Sequence, residues 1–395
     1  MKIQEIKLIH FRNYRELSLK PSAGINIFYG KNGSGKTNVL EAVHYCSLGK
    51  SHRVNHDQSV VQFSENESLC QVSVLEKSVS RKIAVQISAA SAGKKTILLD
   101  EKKISRFSEL MGCLQCVIFS PEDLGLIKDG PSVRRKFLDM MISQTNRRYF
   151  IALQQYRIGL DQRNALLKTI KIKQKNSVDW LDDFDRTLIQ PAVIIIRERK
   201  KTCERLNELV LDSYRSISGQ DGEILTLAYH CPLKDEENLE EALLQQLKKN
   251  REEDIRLGLT SVGPHRDDLI FLLNRKNMRQ FASQGQIRTA ALSLKIAEMK
   301  MIREISGENP VLLLDDVLSE LDQRRRNGLL EEIAPYQTFI TCTDPISIDH
   351  AQRKTFEVSN NEGEGTVVLK EGKEEEEEGT EIVSRETLLE DPLFE

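Results

Sequence analysis

The residues that decide the fold are Gly30-Lys31-Asn32-Gly33-Ser34-Gly35-Lys36-Thr37. They follow an apolar stretch at 24–30 and precede a helical pattern over about 36–47. The stretch matches G-x-x-x-x-G-K-[ST], in which glycines let backbone N–H groups surround phosphate oxygens at a helix N-terminus. In that arrangement Lys36 bridges the β- and γ-phosphates of ATP, and Thr37 binds Mg²⁺. Because strand, loop and helix occur in the required order, we favour a nucleotide loop over a chance match in a surface turn.

A second motif, PVLLLDD at 310–316, reads as a buried strand that ends in two acids. Ligands of open α/β sheets bind beyond the carboxyl ends of the strands. We therefore expect Asp315 to hold Mg²⁺ and Asp316 to position or activate a water for hydrolysis. The alternative is an acidic turn after a core strand. We favour it less because the same chain also contains the phosphate loop.

A third motif, SQGQ at 283–286, precedes an amphipathic helical pattern. Ser283 and Gln286 have the spacing of a capping box, so the motif predicts a well-capped helix start. A serine, a glycine and a helix dipole together are also suited to bind an anion, and the residues alone leave both interpretations open.

Composition indicates a protein without membrane segments, and we expect it in the cytoplasm. Of 395 residues, 39% are hydrophobic and 30% are charged, and no apolar run approaches the roughly 20 residues that a membrane helix needs. The N-terminus, MKIQEIKLIH, lacks the layout of a signal peptide. Seven scattered cysteines, an odd number, favour reduced thiols.

The charge distribution is uneven along the chain. Residues 371–395 contain eleven acidic and two basic residues, a net charge of −9, so residues 1–370 carry +6 of the overall −3. A basic body suits a nucleic-acid partner, although a solvated surface with an acidic tail explains the charge equally well. Basic clusters at 134–136, 197–201 and 324–326 are either phosphate contacts or solvated helix faces. The segment KSHR at 50–53 is a candidate contact for DNA or for a dimer partner.

The periodicity of apolar residues divides the chain into four parts. We predict an α/β fold, a P-loop ATPase head with an inserted, mainly helical second lobe. The head comprises residues 1–125, with the phosphate loop, and 257–370, with SQGQ and the Asp-Asp strand. The helical lobe, with short arms, covers 126–256, and Pro191 is expected to bend or restart one of its helices. Residues 371–395 form an acidic tail that we expect to be disordered.

Together, the motifs resemble the RecF family of ABC-type, SMC-like ATPases. The resemblance rests on LIHFRNY at 8–14, GKNGSGKT, SQGQ and VLLLDDVLSELD at 311–322. It extends to SPEDLGLIKDGPSVRRKFLD at 120–139 and GPHRDD at 263–268, and it covers roughly residues 1–350.

The resemblance implies a head-to-tail homodimer with two ATP molecules between the heads. In such a pair, Ser283 contacts the nucleotide held by the partner, and Asp322, in SELD, also crosses the interface. It further implies a slow, DNA-stimulated ATPase that acts as a switch. Such a protein binds single-stranded, duplex and junction DNA and assists recombinase loading with RecO and RecR partners. Its setting is DNA replication, DNA damage repair and the SOS response.

Two departures from the ABC pattern are visible in this sequence. Asp316 stands where glutamate is usual, which fits slow hydrolysis, and FITCT at 339–343 lacks the usual switch histidine. Thr341 or Thr343 is the candidate replacement, and Gln115 is a candidate for the glutamine-bearing loop.

Two other classes are weighed against this interpretation. An ABC-type ATPase coupled to a nuclease needs a further acid-rich catalytic domain, for which the stretch after residue 350 is short. A small-molecule nucleotide kinase lacks the SQGQ signature and would not respond to DNA.

Overall fold

The computed structural model describes residues 1–54, 56–89, 94–173, 180–219, 222–233, 238–348, 350–361 and 364–373. They group into two units. The first comprises Met1–Pro121 with the described residues from Ile302 onward, and the second comprises Glu122–Met301. We describe each unit by itself.

The strands of the described chain are β1 (Lys2–Phe11), β2 (Tyr14–Leu19), β3 (Ile25–Tyr29), β4 (Glu67–Glu76), β5 (Val79–Ser88), β6 (Lys94–Leu99), β7 (Lys102–Lys103), β8 (Cys116–Phe119), β9 (Leu225–His230), β10 (Asp268–Leu273), β11 (Lys276–Asn277), β12 (Val311–Asp315), β13 (Thr338–Cys342), β14 (Arg353–Asn361) and β15 (Glu364–Lys373). The helices are α1 (Lys36–Leu48), α2 (Gly125–Lys128), α3 (Pro131–Thr145), α4 (Arg147–Lys173), α5 (Trp180–Ser218), α6 (Leu239–Lys249), α7 (Arg251–Leu257), α8 (Met278–Phe281), α9 (Gln284–Ser306) and α10 (Gln323–Ile333).

The first unit is built on a six-stranded sheet with the order β15-β14-β3-β13-β12-β8. Every neighbouring pair is parallel except β14 and β15. Strands β3, β12 and β13 are apolar and almost wholly buried, which is typical of parallel strands covered on both faces. Because they run in the same direction, their carboxyl ends meet at one edge of the sheet, where the phosphate loop and both aspartates follow.

A second sheet of the same unit is antiparallel, with the order β2-β1-β4-β5-β6-β7. Helix α1 contacts strands of both sheets. Its Leu40, Val43 and Cys46 belong to one apolar core with Val72 of β4 and Phe339 of β13. Removing this apolar surface from water fixes the position of α1, and with it the start of the helix at the phosphate loop.

The second unit combines helices with a small antiparallel sheet, ordered β11-β10-β9. Helices α4 and α5 make extensive contacts with each other, and a large apolar core joins α3, α5, α6 and the sheet. Within it Arg163 is fully buried and donates to Asp185 and Asp254, each at 2.7 Å. A buried charge of this kind is tolerated only when it is paired and hydrogen-bonded.

Several elements differ from the sequence-based expectations. Helix α5 runs through Pro191 without restarting, because a long face of the helix is buried against the core of the second unit. Residues 257–301 group with the helical unit rather than with the head, and the small sheet of β9, β10 and β11 was not foreseen. Strand β15 continues to Lys373, past the expected start of the acidic tail at 371. Residues 374–395, most of the expected acidic tail, lie outside the described residues.

Candidate nucleotide-binding site

The phosphate loop joins β3 to α1 and depends on glycine at two positions. Gly30 has φ 150°, and a Cβ there would collide with the carbonyl oxygen of Val358. Gly35 has φ 114°, and a Cβ there would lie 2.6 Å from Nδ2 of Asn13. Both backbones therefore exclude side chains, so neighbouring groups approach the loop closely.

Lys36 begins α1 and folds back over the loop. Its ammonium donates hydrogen bonds to the carbonyl oxygens of Gly30 at 2.6 Å and Lys31 at 2.9 Å. Burial lowers the pKa of Lys36, and the nearby carboxylate of Asp316 works in the opposite direction. A desolvated ammonium among backbone groups is suited to exchange its carbonyl partners for phosphate oxygens, which carry full negative charge.

The remaining loop residues fit a phosphate group. Ser34 is buried, and its Oγ has no hydrogen-bond partner among the described residues. A buried hydroxyl without a partner is costly unless a ligand or water satisfies it. Lys31, Asn32 and Gly33 are exposed or half-buried at the tip of the loop.

A chain of hydrogen bonds connects the loop to the ends of β12 and β13. Thr37 Oγ1 donates to Asp315 Oδ1 at 2.7 Å, and Thr341 Oγ1 donates to the same oxygen at 2.8 Å. Thr341 Oγ1 also accepts from the backbone N–H of Asp316 at 2.9 Å. The structure thus brings together the two residues, Thr37 and Asp315, that the sequence assigned to Mg²⁺. Hydroxyl and carboxylate oxygens are the ligands that Mg²⁺ prefers, so this pair could hold the ion.

Asp316 follows directly and adopts an unusual backbone conformation. Its φ is 54°, a region that side chains other than glycine rarely occupy, and its side chain is exposed. The hydroxyl of Ser319 donates to the carbonyl oxygen of Asp316 at 2.8 Å and to its Oδ1 at 3.0 Å. These contacts orient the carboxylate at the carboxyl edge of the sheet, beside the phosphate loop.

The turn between β1 and β2 and the first residue of β2 supply supporting residues whose roles sequence reasoning did not identify. Asn13 Nδ2 donates to the carbonyl oxygen of Ser34 at 2.9 Å, and Tyr14 OH donates to that of Gly35 at 3.1 Å. Asn38 of α1 donates to Asn13 Oδ1 at 2.7 Å, which fixes the orientation of the amide. The available signal was the LIHFRNY segment at 8–14, which contains both Asn13 and Tyr14.

A buried carboxylate lies one turn further along α1. Glu41 is fully buried and accepts a bidentate pair from Arg12 at 2.7 and 3.0 Å and a hydrogen bond from Ser51 at 2.5 Å. Burial alone would raise the pKa of Glu41, but these hydrogen bonds outweigh burial and leave the pKa below its ordinary value. Ser51 and Arg53, from the KSHR segment, therefore make contacts inside the head, since Arg53 also donates to Asn38.

Ser283 lies in the second unit, immediately before α9. Its N–H donates to Gln286 Oε1 at 2.8 Å, and the N–H of Gln286 donates to Ser283 Oγ at 3.3 Å. These reciprocal bonds form the capping box that the spacing predicts. Gln286 also donates to Glu223 at 2.7 Å, and Ser283 itself is exposed.

Asp322 lies in the first unit, at the start of α10. Its side chain caps the helix by accepting from the N–H of Arg325 at 3.0 Å, and it also forms an ion pair with the Arg325 side chain. Asp322 remains exposed, so capping leaves part of the carboxylate accessible.

Other sequence candidates occupy different places from those expected. Gln115 precedes β8 and therefore lies at the amino ends of the parallel strands, on the edge opposite the phosphate loop. That position is wrong for a loop that contacts the nucleotide. Within the basic clusters, Arg134 and Arg199 are buried and paired with Asp268 and Asp139, respectively, so those clusters are not uniform solvated faces.

The site can now be compared with known proteins. The model of the RecF/RecN/SMC N-terminal domain matches residues 2–366. The DNA replication and repair protein RecF of Clostridium kluyveri is 43% identical over 357 residues, which cover 89% of this chain and 97% of that protein. The chain belongs to the RecF family.

Solved structures agree with this assignment. A structure of the recombination mediator protein RecF-ATP in the RecFOR pathway is 36% identical to this RecF-family chain, with a TM-score of 0.85 over 93% of this chain and 97% of the other. An Smc head domain from Pyrococcus furiosus, 17% identical, shares the fold with a TM-score of 0.54 over 93% of this chain and 96% of its own.

The predicted fold class of this RecF-family chain, an ABC-type P-loop ATPase head with a helical lobe, is thereby confirmed. Among the helices within the described ranges, none is both long and apolar enough to cross a bilayer.

Proposed function

We propose that this chain is an ATP-dependent DNA-binding protein of recombinational repair and replication-fork maintenance. It binds ATP and Mg²⁺, pairs with a second copy when ATP is bound, and hydrolyses ATP slowly in response to DNA. It acts in the cytoplasm, on gapped DNA and single-strand–duplex junctions, and it assists recombinase loading with RecO and RecR-type partners. Its setting is the response to DNA damage.

One observation carries the nucleotide part of this proposal, namely the contact between Thr37 and Asp315 beside the glycine-dependent loop. Lys36 and the loop amides would hold the phosphates, while Thr37 and Asp315 would hold Mg²⁺. When bound, the metal would neutralise phosphate charge, and Asp316 would orient the attacking water. The related structure of RecF-ATP supports ATP as the nucleotide.

The proposed dimer rests on the two nucleotide-contacting motifs that each chain carries. Each copy contributes one phosphate loop and one capped SQGQ helix, and the helix presents an exposed serine at its N-terminus. Such an end attracts anions, so Ser283 would contact the γ-phosphate held by the partner, with Asp322 at the same interface. ATP then stabilises the pair by mass action, and loss of the γ-phosphate weakens it.

The DNA and partner assignments rest on relatives. The Clostridium kluyveri relative is a DNA replication and repair protein, and the solved RecF-ATP structure belongs to the RecFOR pathway. We propose the same setting for this chain, with RecO- and RecR-type partners. The charge of +6 on residues 1–370 is compatible with a polyanionic ligand.

Sedimentation velocity with and without ATP and gapped DNA tests the proposal. The natural chain should shift from monomer to dimer with ATP. Lys36→Arg should retain some nucleotide binding but lose hydrolysis, whereas Ser283→Arg should bind ATP as a monomer. Ser216→Arg, at an exposed serine of α5 in the same unit as Ser283, controls for added charge and bulk. A natural chain that stays monomeric with ATP and DNA present contradicts the proposal.

Turnover measurements separate the switch from a small-molecule kinase. We expect gapped DNA to stimulate ATP hydrolysis by the natural chain and to leave Ser283→Arg at its basal rate. Turnover that ignores DNA but requires a small phosphate acceptor would instead identify a kinase.

A further inference from the structure

Three sequence motifs that the nucleotide site does not use meet in the second unit. The RRK cluster at 134–136, the basic run at 197–201 and GPHRDD at 263–268 all contribute to the wall of one cavity of about 180 Å³. The cationic groups that line it are Arg135 and Lys136 of α3, Arg157 of α4 and Arg199 of α5. Three helices thus contribute positive charge to the lining of a single cavity, and the loop contributes Pro264 and His265.

The deep wall of this cavity is fixed by buried ion pairs. Arg199 donates to Asp139 at 2.7 Å and to the carbonyl oxygen of Pro264 at 2.7 Å, and it is nearly inaccessible to water. Tyr149 OH also donates to Asp139 at 2.5 Å. Because rotamers held by such contacts are preorganised, a ligand would not have to order this part of the site.

Positive charge exceeds negative charge among the lining residues. Asp139 is the carboxylate of the lining, and Arg199 and Tyr149 already occupy it, with Arg157 at 3.4 Å. Arg135 donates to a backbone carbonyl oxygen, that of Asp267, at 2.8 Å. Three cations, Arg135, Lys136 and Arg157, therefore line the cavity beside one lining carboxylate that is already occupied, while Asp267 and Asp268 lie near Arg135 outside the lining.

A histidine in the wall is held neutral. Tyr156 OH lies 2.7 Å from Nδ1 of His265, and Nε2 lies 2.9 Å from the carbonyl oxygen of Thr260. Since a carbonyl oxygen can only accept, Nε2 carries the proton and Nδ1 accepts from Tyr156. Burial lowers the pKa of His265 to about 4, and Arg135 adds to that shift. Burial also lowers the pKa of Arg135, and Arg199 contributes to that shift, whereas the carboxylates of Asp268, Asp139 and Asp267 act in the opposite direction.

We propose that this cavity binds a phosphate group, either one in a nucleic-acid backbone or a free one. A phosphate carries one or two negative charges on several acceptor oxygens, so it can satisfy guanidinium and ammonium donors from three directions at once. A carboxylate, with two oxygens, matches fewer of them. The site shares no residue with the nucleotide loop. Binding of a nucleic-acid phosphate here rests on the DNA binding proposed above, whereas binding of a free phosphate does not.

The test uses the full chain and two pairs of substitutions on exposed cations. The cavity pair is K136Q/R157Q, whose head groups lie at the mouth and leave the buried network intact. The control pair is K168Q/K171Q, which removes the same charge from exposed positions of α4 outside the cavity lining. Lys136→Gln alone serves as a milder second variant, and melting curves verify that all variants fold.

In the first arm, fluorescein-labelled oligonucleotides, single-stranded and duplex, are titrated at several salt concentrations with and without ATP. If the phosphate belongs to nucleic acid, the cavity pair should bind about fivefold to tenfold more weakly than the natural chain, and the slope of log affinity against log salt should fall by about one. The control pair should retain the affinity of the natural chain.

In the second arm, inorganic phosphate is titrated by calorimetry into chains that also contain Lys36→Ala, which weakens binding at the nucleotide loop. If the ligand is free phosphate, it should bind the variant with the control pair of substitutions and not the variant with the cavity pair. Weaker binding by the cavity-pair variant in either arm supports the proposal. The arm in which binding weakens shows whether the phosphate belongs to nucleic acid or is free. The proposal is overturned if both pairs match the natural chain in both arms, or if the control pair loses as much as the cavity pair.

Discussion

Thr341 of β13 is positioned to orient the carboxylate of Asp315, the proposed Mg²⁺ ligand at the end of the neighbouring strand β12. Its hydroxyl donates to Asp315 at 2.8 Å and accepts from the N–H of Asp316 at 2.9 Å, and the side chain is almost fully buried. Thr341→Val replaces the hydroxyl with a methyl group of similar volume and removes both bonds. A hydrogen bond to a charged group contributes about 1.5–3 kcal/mol and a neutral one about 1 kcal/mol, so the loss in unfolding free energy should be about 2–4 kcal/mol.

The same strand offers a matched control. Thr338 is also buried on β13, and its hydroxyl donates to the carbonyl oxygen of Tyr336 at 3.1 Å, at the amino end of the strand. Thr338→Val should therefore cost about 1 kcal/mol of stability without reaching the aspartates. Comparing the two variants separates the general cost of losing a buried hydroxyl from the specific effect on Asp315.

The assay is ATP turnover as a function of Mg²⁺ concentration, with urea unfolding in parallel. Groups that orient a metal ligand typically affect metal affinity or activity by about 10–100-fold. We expect Thr341→Val to raise the Mg²⁺ concentration for half-maximal turnover by about tenfold or more, whereas Thr341→Ser, which keeps the hydroxyl, should restore most of the activity. The reasoning is refuted if Thr341→Val and Thr338→Val show the same dependence on Mg²⁺.

Three further perturbations follow from the described contacts. Gly35→Ala forces a Cβ into the left-handed region, with φ 114°, and to 2.6 Å from Asn13 Nδ2, so nucleotide affinity measured by calorimetry should fall sharply with a lower melting temperature. Arg163→Met leaves buried Asp254 without its cation and Asp185 with Arg251 alone, so it should destabilise the chain by about 3–5 kcal/mol in urea unfolding, and a neutral effect would contradict the buried pairing. Burial lowers the pKa of His265 from 6.5 to about 4, so the unfolded chain binds more protons than the folded chain between these two pH values. The contribution of His265 to the free energy of unfolding therefore keeps its full value above pH 6.5 and decreases as the pH falls towards 4. His265→Gln should remove that part of the pH dependence of the urea midpoint.

Local pattern predicted the architecture of the head well. The strand before the phosphate loop, the helix after it and the strand that ends at Asp315 all lie within a residue or two of their expected bounds. These elements were readable because buried parallel strands are short apolar runs, and because glycine and paired acids mark their ends. The capping box at Ser283 was readable for the same reason, since it depends only on spacing.

Contacts between distant segments were not readable. Beyond the LIHFRNY segment itself, nothing indicates that the Asn13 amide donates to the loop carbonyl of Ser34, because the contact depends on how the turn between β1 and β2 packs beside α1. The expected restart at Pro191 was wrong because the core of the second unit holds both halves of α5 in one continuous helix. Gln115 was misplaced because a sequence does not show which end of a strand reaches the ligand edge.

The capping box at the start of α9 has a consequence for any anion that reaches it. Ser283 uses a lone pair to accept from Gln286, so its hydroxyl proton remains available to an incoming oxygen. A phosphate could therefore be engaged without uncapping the helix, and little rotational freedom of the serine would be lost on contact. Ser283 can therefore cap its own helix and, in the proposed dimer, also donate a hydrogen bond to the nucleotide that the partner holds.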